Sequence, residues 1–401
     1  MTAVTEDRSP SSNPFSSDDE FDSDVVCPST AVRSTNANRE GSVSHTPLSR
    51  RRFLRVGAAS TVAAGLAATT STACRGAEIG PVTTPADSVV WGVSTDANTI
   101  RKDREALRAW FDRAAALPIS SCRTVADWWL IEDRPGVRDW TSLDMVVDEC
   151  RGRGLAMTVT VAYAPEWARD PEDRGPRNTA PGREYVTAWA EFCRAVARRV
   201  PADSTIEIWN EPNLSAYWGP VQSPVRYGEL LKAAHRAVKD AAPGMPVVAG
   251  SLGPAATVGT ASMSPPDFAG ALYDAGFQPY FDALSVHPYT GAQLPSASGA
   301  ASAVRAGLYP LRDVMVAAGD GSKPILLTEF GTPTGGFDSV GVAEQSAHLL
   351  DAMTLWRLLP FVSAAYLYTV DDRDSRSVDR EGHFGVYFSD GTPKPSLAAL
   401  Q

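Results

Sequence analysis

From Val89 to Val370 the chain repeats one unit: a short apolar run, then a longer stretch with apolar residues every three or four positions. Runs that are apolar on both faces and separated by helices force a parallel sheet, because each crossover needs a helix and the helices cover the sheet. The first run is Val89 to Val93, and a helix is predicted from about Ile100 to Ala116. Ser121 to Leu130 reads as the second strand; Leu143, Val146, Val147 and Cys150 then mark one face of a helix that stops at Gly152 and Gly154. Leu155 to Ala162 is the third strand, and Tyr185, Trp189, Phe192 and Val196 share the next helix face before Pro201. A fourth strand begins at Ser204. Ser223-Pro224 opens a helix with the stripe Tyr227, Leu230, Leu231, Ala234 and Val238. Further strands are Pro246 to Gly250, Phe281 to His287, Pro324 to Glu329 and Val362 to Val370, with helices near Ala303 to Ala317 and Val342 to Leu358 and a turn at Asp390-Gly391. Eight strands, each followed by a helix at roughly 40 residues per unit, predict a (β/α)8 TIM barrel in one domain over 88–401.

The fourth strand carries the chemistry. Thr205, Ile206, Ile208 and Trp209 suit a buried strand, and the run breaks abruptly into Asn210, Glu211, Pro212 and Asn213. A carboxylate is thereby fixed at the exit of a rigid element. The seventh strand ends in the same way, at Thr328-Glu329-Phe330-Gly331. Strands four and seven of an eight-stranded barrel face each other across its mouth, so Glu211 and Glu329 can converge on one substrate.

The Trp209-Asn210-Glu211-Pro212 run, taken with Thr328 to Gly331, resembles glycoside hydrolase clan A over roughly Val89 to Leu397. The resemblance implies a retaining glycosidase, in which Glu329 is the nucleophile and Glu211 the acid and then the base. Two carboxyl groups about 5 Å apart suit that route. The charge of Glu329 favours a protonated Glu211 at first, and esterification of Glu329 removes that charge before Glu211 must activate water. It implies further that Asn210 donates to the sugar 2-hydroxyl and that Arg123 hydrogen-bonds the nucleophile. His287 and Tyr289, in the His287-Pro288-Tyr289 turn, would orient the nucleophile and line the sugar subsite. Two departures narrow the resemblance. Strand three lacks the histidine of cellulase-like members, and strand eight reads Tyr366-Leu367-Tyr368-Thr369-Val370 where the clan carries a tryptophan. Either Tyr366 or Tyr368 substitutes, or the subsite is shaped for another sugar. With the segment Pro135-Gly136 through Trp140, Leu143 and Asp144, these departures point nearest to family 39, the xylosidase and iduronidase family.

Aromatic residues also gather near the strand exits: Trp128, Trp129, Tyr163, Trp167, Trp218 and Tyr289. Of these, Trp167 and Trp218 are taken with Tyr289 and Tyr368 as sugar contacts. The substrate is therefore expected to be an oligosaccharide or polysaccharide of plant or cell-envelope origin. A transglycosylase would keep every one of these features, whereas a silent sugar-binding barrel would not need both carboxylates. The sugar itself would be chosen by the loops at 169–182, 251–265, 291–299 and 371–382.

Other classes fit poorly. There is no phosphate loop, dinucleotide fingerprint or paired-histidine motif, so no cofactor is expected. A net charge of −10 argues against nucleic acid as a partner. The cysteines show no CxxC spacing, so no metal is expected. In the barrel reading Cys122 and Cys150 both lie near its bottom, as a disulfide or, with Cys193, as three buried thiols.

Residues 1–48 are a different material, rich in Ser, Thr, Pro and Asp around Ser17 to Asp22, and read as disordered. Residues 49–73 follow, in which Arg50-Arg51-Arg52-Phe53-Leu54 precedes a weakly apolar stretch. They resemble a twin-arginine signal, which implies the export machinery as a partner and a bacterial protein that ends up outside the cell or on its envelope. Val56 to Ala73 is barely long enough for a membrane anchor. Cleavage after Ala73 would leave Cys74 first, open to lipidation as the one route to a membrane, although Ser71 stands where that signal wants an aliphatic residue. Residues 74–87 read as a linker.

Overall fold

The computed structural model describes residues 89–96, 99–169, 179–298 and 304–401. Residues 1–48, expected to be disordered, the expected export signal 49–73, Cys74 and the expected linker 74–87 lie outside the described residues. Eight strands close in chain order: β1 (Val90–Ser94), β2 (Ser121–Asp127), β3 (Ala156–Ala162), β4 (Thr205–Ile208), β5 (Val247–Leu252), β6 (Ala283–Val286), β7 (Ile325–Phe330) and β8 (Val362–Leu367). Every pair is parallel, and β8 returns to β1 with Val90 opposite Ala364. The predicted (β/α)8 barrel is what forms. No helix among the described residues is long and apolar enough to cross a membrane.

The helices are α1 (Arg104–Ala114), α2 (Trp128–Ile131), α3 (Thr141–Arg153), α4 (Val186–Arg199), α5 (Ser215–Trp218), α6 (Pro224–Ala241), α7 (Pro265–Asp274), α8 (Tyr309–Ala317), α9 (Gln345–Arg357) and α10 (Pro395–Leu400). Local chemistry sets their ends. Ser223 caps α6 by accepting from the Arg226 amide, with Pro224 in the first turn where no donor is lost. Gly154 ends α3 at φ 67°, a left-handed position that costs glycine little.

Three predicted bounds are corrected. The second strand stops at Asp127 rather than Leu130, because the Asp127 carboxylate accepts the Leu130 amide and turns the chain into α2. The eighth stops at Leu367, since the carbonyl of Val370 is taken by the amides of Val386 and Tyr387. The helix expected from Ala303 begins regular α-helix only at Tyr309, because Pro310 has no amide to continue a ladder from the π-turn Val304–Leu308.

Apolar residues fill two separate spaces. The larger packs strands against helices, with Trp110, Phe111, Trp189, Phe192, Tyr227 and Phe268 fully buried. The smaller is the barrel lumen, where Val248, Ala283, Leu326, Ala364 and Tyr366 form their own cluster. The Tyr366 ring occupies so much of it that β1 needs Gly92 beside it: a Cβ there would lie 2.5 Å from the ring. Tyr366 is tied at its hydroxyl to Thr158 at 2.7 Å and Ser121 at 3.1 Å. Cys122, Cys150 and Cys193 are buried free thiols, the second of the two alternatives.

Candidate active site

The lumen above Tyr366 turns polar around one cation. Arg123, on β2, is only 1% exposed, and no buried guanidinium persists without partners for its donors. Its Nε donates to Glu207 Oε2 at 2.8 Å and its Nη1 to Ser94 Oγ at 3.1 Å and Glu329 Oε1 at 2.5 Å. Its Nη2 donates to Asn210 Oδ1 at 3.1 Å and Ser251 Oγ at 3.0 Å. One side chain thus joins β1, β2, β4, β5 and β7. Glu207, wholly buried, also accepts from Thr160 at 2.6 Å and Ser285 at 2.7 Å. Burial pushes the Glu207 carboxyl up, but Arg123 and the two hydroxyls outweigh it and hold it below its ordinary range.

The two strand-end carboxylates stand above this layer. Glu329, on β7, accepts from Arg123 on one oxygen and from the Tyr289 hydroxyl at 2.7 Å on the other, and its side chain remains 15% exposed. Glu211, just beyond β4, lies 2.8 Å from His287 Nδ1 and is 11% exposed. Gly253 makes room for it, since a Cβ there would sit 2.8 Å from the Glu211 carboxyl carbon. The His287 ring, fully buried, also stands 3.6 Å from Glu329 and contacts Ser251 Oγ at 3.0 Å through Nε2. Burial pulls the His287 pKa down, yet Glu329 and Glu211 overcome that and raise it.

The backbone bends sharply here. Tyr163, Trp209, Glu211 and Ser251 all have φ between 48° and 69°. Non-glycine residues adopt that region at a cost, and such residues gather at functional sites. These four lie at or just beyond the ends of β3, β4 and β5, around the two carboxylates.

Most residues expected at the site are brought together. Arg123 and Tyr289 hold Glu329, and Asn210 keeps its amide nitrogen clear of any partner among the described residues while its oxygen is anchored. Three expectations need adjustment. His287 makes its short contact to Glu211 and only its longer one to Glu329, so it holds Glu211 first. Trp218 is corrected outright: it is 1% exposed and packed edge-on between Trp209 and Tyr227, inside the shell rather than at the mouth. Trp128 is likewise buried, against Trp167 and Phe192. Trp167 is half-buried, its indole donating to the Glu132 carbonyl at 2.9 Å, and among the described residues its ring neighbours are Trp128 and Tyr185 rather than either carboxylate.

The two tyrosines of the eighth-strand region part by position. Tyr366 belongs to the lumen, whereas Tyr368 stands at the mouth, edge-on to Tyr289 at 6.4 Å and Phe384 at 5.5 Å. The residues missed are Glu207, Ser94 and Ser251, which surround Arg123. Glu207 had a legible signal: a carboxylate inside an otherwise apolar strand must have a buried cation. The others had none in sequence. Among the described residues no group of three or more His, Cys, Asp or Glu is placed to hold a metal ion.

No protein-family model and no curated protein matches the sequence. The fold is similar to several solved structures. A family 39 glycoside hydrolase from the gut symbiont Bacteroides cellulosilyticus WH2 aligns at 21% identity and a TM-score of 0.61, over 80% of this chain and 63% of that one. A monomeric beta-xylosidase from Caulobacter crescentus CB15 aligns at 20% identity and 0.58, over 78% of this chain and 67% of that one. A GH5_18 protein from Streptomyces cattleya, in complex with GlcNAc, aligns at 20% and 0.61, over 78% and 79%. The chain thus spans less than two thirds of the first of these proteins.

Proposed function

We propose that the chain is a retaining glycoside hydrolase acting on a plant or cell-envelope oligosaccharide or polysaccharide. The observation that carries this reading is His287 Nδ1, 2.8 Å from a Glu211 oxygen and 3.6 Å from a Glu329 oxygen. One imidazole edge thus reaches both carboxylates, which brings them to a single sugar-sized space where one can attack while the other gives its proton.

Glu329 Oε2 or Oε1 attacks the anomeric carbon, and the bond to the leaving oxygen breaks as Glu211 gives that oxygen its proton. Arg123 and Tyr289 hold Glu329 aimed through one hydrogen bond to each of its oxygens. Glu211 then takes a proton from water, the water oxygen bonds to the anomeric carbon, and Glu329 leaves as carboxylate. Asn210 Nδ2 donates to the 2-hydroxyl, a contact that tightens as the ring flattens toward the transition state. The ring of Tyr368 offers a wall for the sugar where the clan carries tryptophan. The fold likeness to a family 39 glycoside hydrolase and to a beta-xylosidase supports the same reading. A twin-arginine leader at 49–73 would place the enzyme outside the cytoplasm.

The test is turnover of aryl β-xyloside, glucoside, galactoside and mannoside and of an α-L-arabinofuranoside by residues 88–401 and its Glu329→Ala variant. Turnover abolished in the variant and partly restored by azide, with a glycosyl azide of inverted configuration, supports the assignment. Transfer to an acceptor sugar in preference to water would make the enzyme a transglycosylase. Turnover that survives in Glu329→Ala would end the proposal.

A further inference from the structure

The two strand-end carboxylates are held differently. Glu329 receives a hydrogen bond on each oxygen, from Arg123 and from Tyr289. The Glu211 carboxylate meets a single side chain among the described residues, His287, whose Nδ1 lies 2.8 Å away. What that nitrogen carries decides whether Glu211 has a proton to give. A neutral imidazole has one N–H and one lone pair, and which nitrogen keeps the proton is set by the partner of the other.

The partner of Nε2 is Ser251 Oγ, at 3.0 Å, and both side chains are fully buried. A hydroxyl has one proton to donate and two lone pairs to fill. Arg123 Nη2 can only donate, and it fills one lone pair at 3.0 Å. Asn210 turns its oxygen to Arg123 Nη2 at 3.1 Å, and the same oxygen lies 3.3 Å from Ser251 Oγ, where it can only accept. The proton of Ser251 thus goes to Asn210. The second lone pair is left for His287, whose Nε2 must then be the donor. Turning the hydroxyl to Nε2 instead would leave a buried lone pair empty and Asn210 with one donor fewer.

The backbone is bent to bring that hydroxyl there. The register of β5 against β6 shifts between Ala249 and Leu252, so that Gly250 and Ser251 together stand opposite Ser285 in a bulge. The Ser251 amide is anchored on Ser285 Oγ at 2.5 Å, and that hydroxyl in turn donates to Glu207. At φ 57° glycine would fit with less strain, so the hydroxyl is what a serine adds at this position.

We propose that Ser251 is a positioning residue for the acid/base: its hydroxyl keeps a proton on His287 Nε2, which makes the proton between Nδ1 and Glu211 one that can be given away. The inference rests on the glycosidase reading and deepens it. With Nε2 protonated, that proton passes to the leaving oxygen as the glycosidic bond breaks, and a neutral imidazole and a Glu211 carboxylate remain. Water then returns one proton to Glu211 as its oxygen bonds to the anomeric carbon. With Nε2 bare, the contact would hold only the proton of Nδ1, whose loss would leave an imidazolate, so there would be nothing to give.

The experiment reads His287 by nitrogen NMR on the full chain carrying labelled histidine, with its signals assigned by their loss in His287→Gln. Beside it, kcat/KM of the wild type and Ser251→Gly is measured on phenyl and dinitrophenyl β-xylosides and β-glucosides. In the wild type Nε2 should be protonated. Dinitrophenolate leaves without a proton and phenolate does not. Ser251→Gly should therefore lose roughly ten- to a hundredfold on the phenyl glycoside, part of the roughly 10^2 to 10^4 that general acid catalysis supplies, and less than about threefold on the dinitrophenyl one. Its melting temperature should stay near wild type, since glycine relieves the bend as the hydroxyl is lost. A bare Nε2 in the wild type overturns the proposal without any variant; equal loss on both glycosides, or none on either, overturns it through Ser251→Gly. Glu329-dependent turnover with a bare Nε2 would sink this role and keep the glycosidase. A protonated Nε2 with no glycoside turned over would sink the glycosidase reading, and this role with it.

Discussion

Two buried ion pairs in this barrel use the same chemistry for opposite ends. Lys394 and Asp372 are closed: Lys394 Nζ also reaches Thr334 Oγ1 at 2.8 Å and the His383 carbonyl at 3.2 Å. Asp372 also accepts the Gly385 amide at 2.9 Å and the Ser375 hydroxyl at 2.8 Å. Burial lowers the Lys394 pKa and Asp372 resists that shift. Its donors and acceptors are answered within the protein, so the pair fastens the loop after β8. Arg123 is just as buried, but of its two carboxylates only Glu207 is closed in the same way. Glu329 keeps one side to solvent. The difference teaches that a buried cation stabilises when its carboxylate is sealed, and holds a carboxylate ready for chemistry when one face is left open.

Glu329→Ala tests the open pair most severely. It should lose on the order of 10^4-fold or more in kcat, by analogy with removal of other nucleophiles, while its melting temperature stays near wild type because Arg123 retains Glu207, Asn210, Ser94 and Ser251. A collapse of stability in that variant would break the contrast. Lys394→Met should do the reverse, costing about 3–5 kcal/mol in urea unfolding by stranding Asp372, and adding Asp372→Asn should recover part of it. Tyr289→Phe removes a hydrogen bond of about 1.5–3 kcal/mol to a charged group, so kcat/KM should fall roughly 10- to 100-fold with little change in the unfolding midpoint.

The smallest effect is on acid stability. The Glu207 pKa is lowered from its ordinary 4.5, so its contribution is complete above 4.5 and disappears as the pH falls through the lower folded value. Below pH 4.5 the wild type should therefore lose more stability on acidification than Glu207→Gln does, measured by urea midpoints. Identical slopes would mean that Arg123 gains nothing from Glu207 that a neutral amide cannot supply.

Much of the site was legible because it is built on regular elements. The apolar run from Thr205 to Trp209 and its break at Asn210-Glu211-Pro212 placed one carboxylate at a strand end, and Thr328-Glu329 placed the other. The aromatics were less legible. Trp218 follows the same break as Glu211 yet turns inward on α5, and only the packing of Trp209 and Tyr227 around it decides that. Tyr366 and Tyr368 share a parity that would put both on one face of a strand, but β8 ends between them, so one ring fills the lumen and the other lines the mouth.

The order of strands and helices, the closed barrel and the two strand-end glutamates were determined by the sequence itself, because hydrophobic period and strand termination are local properties written in adjacent residues. The ligands of Arg123 and the attachment of His287 to Glu211 were decided only by the tertiary structure. Each joins residues from strands or loops far apart in the chain, and a buried charge selects its partners by distance and desolvation after closure, which no local pattern records.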